Sequence, residues 1–155
     1  MTDEARAPHD AGARRKSVRF AGYAALFDQV DRGGDVVKRG AFIRSLSVAR
    51  SGASARRIPL LYGHNPLKRI GEIELLAEDD KGLRVIASLH DWTPAARSVA
   101  AMVEAGALTG LSFGYRVQQM EQGPRGTRML TDLDLIEISL VPTPMQPKAR
   151  VHMVG

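Results

Sequence analysis

No cysteine occurs anywhere in the 155 residues. That absence excludes disulfide frameworks, thiolate nucleophiles and cysteine-held zinc, so any nucleophile must be an oxygen or a lysine nitrogen. Aromatic residues make up only 5% of the chain, too few for a base-stacking surface. Long apolar runs are missing as well: nothing approaches the roughly 18 residues that cross a bilayer. The opening MTDEARAPHDAGARRK lacks the apolar centre of a secretory signal. The expectation is a protein that stays in a cytoplasm, with no membrane partner.

What is present is ordinary for a globular protein: 44% apolar and 25% charged residues, in a length that suits one domain. Such a domain buries about 68–70% of its unfolded surface. The formal charge of +5 invites a nucleic-acid reading, but the basic residues are scattered or gathered in the N-terminal ARRK run. No zinc-finger, RNA-recognition or basic-zipper pattern accompanies them, so sequence-specific nucleic-acid binding is unsupported.

Residues 1–16 are polar and aperiodic and read as a mobile arm ahead of a single domain over 17–155. A first strand runs through SVRFAGYAALF, followed by a polar turn region, DQVDRGGD. KRGAFIRSLSVAR reads as a short helix with Phe42, Leu46 and Ile43 inward. SGASARR is a loop, and RIPLLYG is a strand that delivers His64. GEIELLAEDDKGLRVIASLH is a hairpin around Asp79-Asp80-Lys81-Gly82. Thr93 and Pro94 open a helix that Gly106 stops. GLSFGYRV is a strand, QGPRGT a turn, and LDLIEISLVP a last strand broken by the proline-rich VPTPMQPK. Few helices among many strands argue against βαβ repetition. The fold class predicted is mainly β with some α (α+β), a small and mostly antiparallel barrel flanked by helices.

Three polar residues sit in apolar surroundings. In GLSFGYRV, alternation puts Leu111, Phe113, Tyr115 and Val117 on one face, leaving Ser112 with Gly114 and Arg116 on a nearly bare one. His64 follows a buried-looking strand, between Gly63 and Asn65-Pro66. Glu137 lies within LIEISLVP, where strict alternation groups Leu135, Glu137, Ser139 and Val141 against Ile136, Ile138 and Leu140. Both faces are largely apolar, which marks a central strand. A carboxylate there is costly without a cation or donor, and an imidazole would serve. Serine, histidine and carboxylate are together the parts of an acyl-transfer site. Each also has a plain structural reading: a small side chain beside glycine, a turn histidine, a buried ion pair with arginine.

Four blocks in order resemble the prohead (capsid-maturation) serine proteases of tailed bacteriophages and gene transfer agents. They are GYAALFDQVDRGGDVVKRGAF, LLYGHNPLKRIGEI, GALTGLSFGYRV and LDLIEISLVPTPMQPKA, and they cover most of the chain after the arm. The resemblance implies Ser112 as nucleophile, His64 as general base and acid, and Glu137 as third member, with Asp134 or Asp132 in reserve. It implies the small β-barrel of the herpesvirus assemblins, in which a second histidine takes the third place. The implied role is removal of the scaffolding segment from the major capsid protein, and self-cleavage, inside the assembling prohead in the bacterial cytoplasm. Assemblin relatives dimerise through a helix, and the analogy extends to a homodimer. On this reading the bare Gly114 face leaves room for a substrate strand, backbone N–H groups hold the oxyanion, and Arg116 can assist. No cofactor or metal is expected, since His64 and His90 show no ligand spacing with a third donor. A non-catalytic capsid-assembly module, with the three residues structural, is the alternative; a basic nucleic-acid-binding barrel ranks behind it.

Overall fold

A computed structural model describes residues 17–50 and 57–155. The arm expected over 1–16 and nearly all of the loop expected at 51–57 lie outside the described residues. The chain order is β1 (Val18–Leu26), β2 (Asp35–Val37), α1 (Ile43–Arg50), β3 (Leu60–Tyr62), β4 (Asn65–Glu78), β5 (Gly82–Leu89), α2 (Pro94–Glu104), β6 (Gly110–Gln122), β7 (Arg128–Val141) and β8 (Val151–Val154).

The strands make one mixed sheet in the order β2-β7-β3-β4-β5-β1-β8, with β6 on the other edge of β7. The mainly β expectation holds and most pairings are antiparallel, but the sheet is mixed and is not closed into a barrel. β2 and β3 both run parallel to β7, and the ladder does not return on itself. The prolines of VPTPMQPK lack an N–H, which suits a stretch outside the ladder. Only the residues just beyond them reach across, through an isolated bridge between Gly110 and Arg150.

β7 is the organising strand. Its near edge pairs with β6 along almost its whole length. Its far edge is shared: β2 takes Arg128–Leu130, and β3 takes Ile138–Leu140. Between them, Leu133 N donates to Ala41 O and Leu135 N to Ser45 Oγ. Ser45 Oγ in turn donates to Leu133 O at 2.8 Å. The backbone groups left between two short strands thus find partners on α1 and its approach, as buried backbone must.

Local chemistry fixes the other junctions. Asp79 Oδ1 accepts the Lys81 and Gly82 amides at the β4–β5 turn, the behaviour that suits Asp to turns. Thr93 caps α2 by accepting the Ala96 amide, and Glu78 accepts the amides of Gly40 and Phe42 ahead of α1. Phe42 and Leu46 are buried as expected, whereas Ile43 is 61% exposed, because α1 is only partly covered. Phe42 meets Phe113 edge-on, with ring centroids 5.3 Å apart. Under the same core, Arg128 Nε and Nη2 grip Asp35 at 2.8 Å each, and the Tyr115 hydroxyl donates to it at 3.1 Å. β2 and β8 have no clear signal in the sequence. β2 begins at the aspartate of a turn-rich run, and β8 follows a proline-broken stretch.

Candidate active site

His64 is presented by a two-residue hairpin. Tyr62 pairs with Asn65 across β3 and β4, leaving Gly63 and His64 as the turn, with φ of 63° and 61°. Positive φ at both central residues is the type I′ geometry that suits strand twist. Glycine adopts it freely, while histidine is among the few other residues enriched there. The turn is anchored to β7 twice: Gly63 N donates to Leu140 O at 2.9 Å, and His64 N donates to Ser139 Oγ at 3.0 Å.

The imidazole folds back over the sheet. His64 Nδ1 lies 2.5 Å from Glu137 Oε2. A carboxylate can only accept, so Nδ1 carries a proton, and in the neutral ring Nε2 keeps its lone pair. The other carboxylate oxygen, Oε1, accepts from Ser139 Oγ at 2.7 Å. Glu137 is 7% exposed and Ser139 fully buried, so the carboxylate that the sequence leaves in search of a partner has two. Its hydrogen bond holds His64 above the ordinary histidine pKa; partial burial pulls the other way.

Ser112 occupies the neighbouring strand. It sits directly opposite Ser139 across β6 and β7, and Gly114 sits opposite Glu137. Directly paired residues present their side chains on the same face, so Ser112 shares its face with the carboxylate. Ser112 is 4% exposed. The hydrogen bonds of the described residues join His64 to Glu137 and Ser139 but do not join Ser112 to His64.

A β-bulge produces this arrangement. The register passes from Gly114↔Glu137 to Tyr115↔Leu135, so Ile136 is an extra residue and the alternation reverses there. Leu135 therefore belongs with the core residues Ile138 and Leu140, and not with Glu137 as strict alternation groups it. The bare face over Gly114 also has a different occupant from the one expected. A β-carbon built on Gly114 would overlap Glu137 Oε2 and lie 2.9 Å from Cδ, so the missing side chain makes room for the carboxylate.

The reserve carboxylates are committed elsewhere. Arg44 Nε binds Asp132 at 3.2 Å and Arg44 Nη2 binds Asp134 at 2.5 Å. Arg116 pairs in register with Asp134, two positions along the strand from Gly114. His90 stacks on Trp92 at 4.3 Å, and His152 lies beside Arg84; neither approaches His64. Among the described residues no three histidines or carboxylates gather as a metal site would require, and no helix is long and apolar enough to cross a membrane. The residue that sequence reasoning passes over is Ser139. Its position two residues from Glu137 was the available signal.

This sheet, with its two flanking helices, shares its fold with viral proteases of known structure. It superposes on the capsid assembly protease of bacteriophage T4 with a TM-score of 0.62, at 13% identity, over 79% of this chain and 80% of that one. The KSHV protease, in complex with a hexapeptide phosphonate inhibitor, superposes with a TM-score of 0.52 at 13% identity, over 90% of this chain and 65% of its own. The sequence is more specific than the fold. Residues 4–155 match the Caudovirus prohead serine protease family, and the chain belongs to that family. The prohead protease of Enterobacteria phage HK97 is 29% identical over 135 residues, which cover 85% of this chain and 58% of that protein. The chain thus spans little more than half the length of that relative.

Proposed function

We propose that the chain is a serine endopeptidase of capsid maturation, acting within the assembling head on the scaffolding segment of the major capsid protein and on itself. Residues 17–155 form the catalytic domain in this reading. The observation that carries it is the His64–Glu137 hydrogen bond beside a serine on the same sheet face, in a chain of a serine protease family.

The chemistry follows from the tautomer. With Nδ1–H held by Glu137, the lone pair of His64 Nε2 accepts the Ser112 hydroxyl proton as Oγ attacks the scissile carbonyl carbon. The imidazolium so formed faces a carboxylate and is stabilised by it. Collapse of the tetrahedral intermediate passes that proton to the leaving amine and leaves an acyl-serine. Water then attacks the acyl carbon as its proton passes to Nε2. The second tetrahedral intermediate collapses by breaking the C–Oγ bond, with Nε2 returning the proton to Ser112 Oγ as the acid leaves.

The competing reading is a non-catalytic assembly module of the same fold. Its one support is the absence of a hydrogen bond from Ser112 to His64. Serine–histidine contacts in unliganded proteases are often long and tighten only around substrate, so the enzyme reading is preferred. A fluorophosphonate probe separates the two: covalent labelling of Ser112 in the folded chain is expected, and a folded chain that stays unlabelled would overturn the assignment.

A further inference from the structure

We propose that Ser139 is a positioning residue of the site, whose single hydroxyl fixes both the backbone and the ring of His64. The inference rests on the protease reading above and assigns a role to a residue outside the expected triad.

A serine hydroxyl has one proton to give and two lone pairs. At Ser139 the proton goes to Glu137 Oε1 at 2.7 Å, and a lone pair takes the His64 amide at 3.0 Å. Glu137 Oε2 then holds His64 Nδ1 at 2.5 Å. The three bonds close a ring that starts at the His64 backbone and returns to its own imidazole. His64 has φ 61°, a conformation that costs a non-glycine residue energy even where it is enriched, and the bond to Ser139 helps to hold it. A glutamate, with three side-chain torsions, would otherwise have several ways to face the imidazole.

Ser139 also sits where such a clasp can act on both strands of the site. It pairs with Leu61 in β3, which leads into the histidine turn, and with Ser112 in β6. A hydroxyl at this position therefore sets the histidine turn against the strand that carries the nucleophile. Its full burial keeps bulk water from these hydrogen bonds. Removing it leaves a carboxylate oxygen and an amide unpaired at once.

The test compares Ser139→Thr with Ser139→Val, which share a shape and differ by the hydroxyl. The readout is the rate of fluorophosphonate labelling at Ser112 against pH, with circular dichroism as the check on folding. Ser139→Thr should restore most of the wild-type rate. Ser139→Val should label slower by about 10²-fold, the cost of a small misplacement at a reacting centre, and its pH limb should move. Equal rates and limbs for the two variants would overturn the proposal. In the wild-type chain, hydrogen exchange at the His64 amide should be slow and the imidazole Nδ1 proton visible by NMR. Fast exchange at that amide would overturn the proposal even if neither variant folds. If the wild-type chain does not label at all, the protease reading fails, while the exchange and NMR results still decide whether the clasp exists.

Discussion

Gly114 and Glu137 face each other across β6 and β7 so closely that a side chain on the glycine would have to displace the carboxylate. A methyl group there would meet the carboxylate head, with Cγ of Glu137 at 3.0 Å. Gly114→Ala should therefore turn Glu137 away from His64. The expected result is a loss of Ser112 labelling on the order of 10²-fold, with overpacking costing about 1–3 kcal/mol of stability. Labelling kinetics and thermal melts on one preparation check both; an unchanged rate would mean that the carboxylate has no part in activating the serine.

Ser112→Ala should abolish peptide cleavage and self-processing, a fall of about 10⁴–10⁶, while the fold persists. The buried position accepts the smaller side chain without losing an apolar anchor. Cleavage of a capsid-protein substrate by the folded variant is the measurement, and full processing would remove Ser112 from the mechanism.

The pH dependence has a definite sign. A general base must be neutral, so the rate should rise with pH through the titration of His64, and the limb should lie above the ordinary histidine value of about 6.5, because the Glu137 hydrogen bond raises it. Glu137→Gln should lower that limb and slow the reaction by up to about 10⁴. The same raised pKa contributes stability that is fully present below about pH 6.5 and is lost as pH rises through the folded value. Melting temperature against pH should show the loss in the wild type and not in Glu137→Gln.

Away from the site, Arg128 holds Asp35 below the usual carboxylate range, and burial pushes the Tyr115 phenol up to about 12. A lowered carboxylate stabilises the fold above its unfolded value, about pH 3.9, and that contribution is lost as pH falls through the folded value. Arg128→Ala should thus melt well below the wild type at neutral pH, with the gap closing in acid. A gap that stays constant would mean the pair adds nothing.

Thr93→Ala serves as the stability control. Loss of the cap on α2 should cost about 1 kcal/mol, a few degrees of melting temperature, with labelling at Ser112 unchanged.

Much of this was legible in the residues. The β4–β5 hairpin and the capped helix α2 carry turn and cap chemistry in their own sequence. Glu137, an expensive charge in a strand apolar on both sides, announces that a partner must exist. What local pattern cannot carry is register. The bulge at Ile136 reverses the alternation of β7, so a period-two reading misassigns Leu135. The same limit hides Ser139, whose importance depends on a turn that arrives from a distant strand. The open sheet was missed for a related reason: β2 and β3 are too short to show a period of their own, and both run parallel to β7 along one edge.

The bridge between Gly110 and Arg150 has a temporal side. Leu111 N donates to Ala149 O, and Val151 N to Thr109 O, so the start of β6 is clasped by a segment made later. During synthesis from the N-terminus, Ser112 would leave the ribosome before its clasp does. On the proposed protease reading, the strand that carries Ser112 is fully tied down only once residues 149–151 have been made, so peptide cleavage would await the last stretch of the sheet.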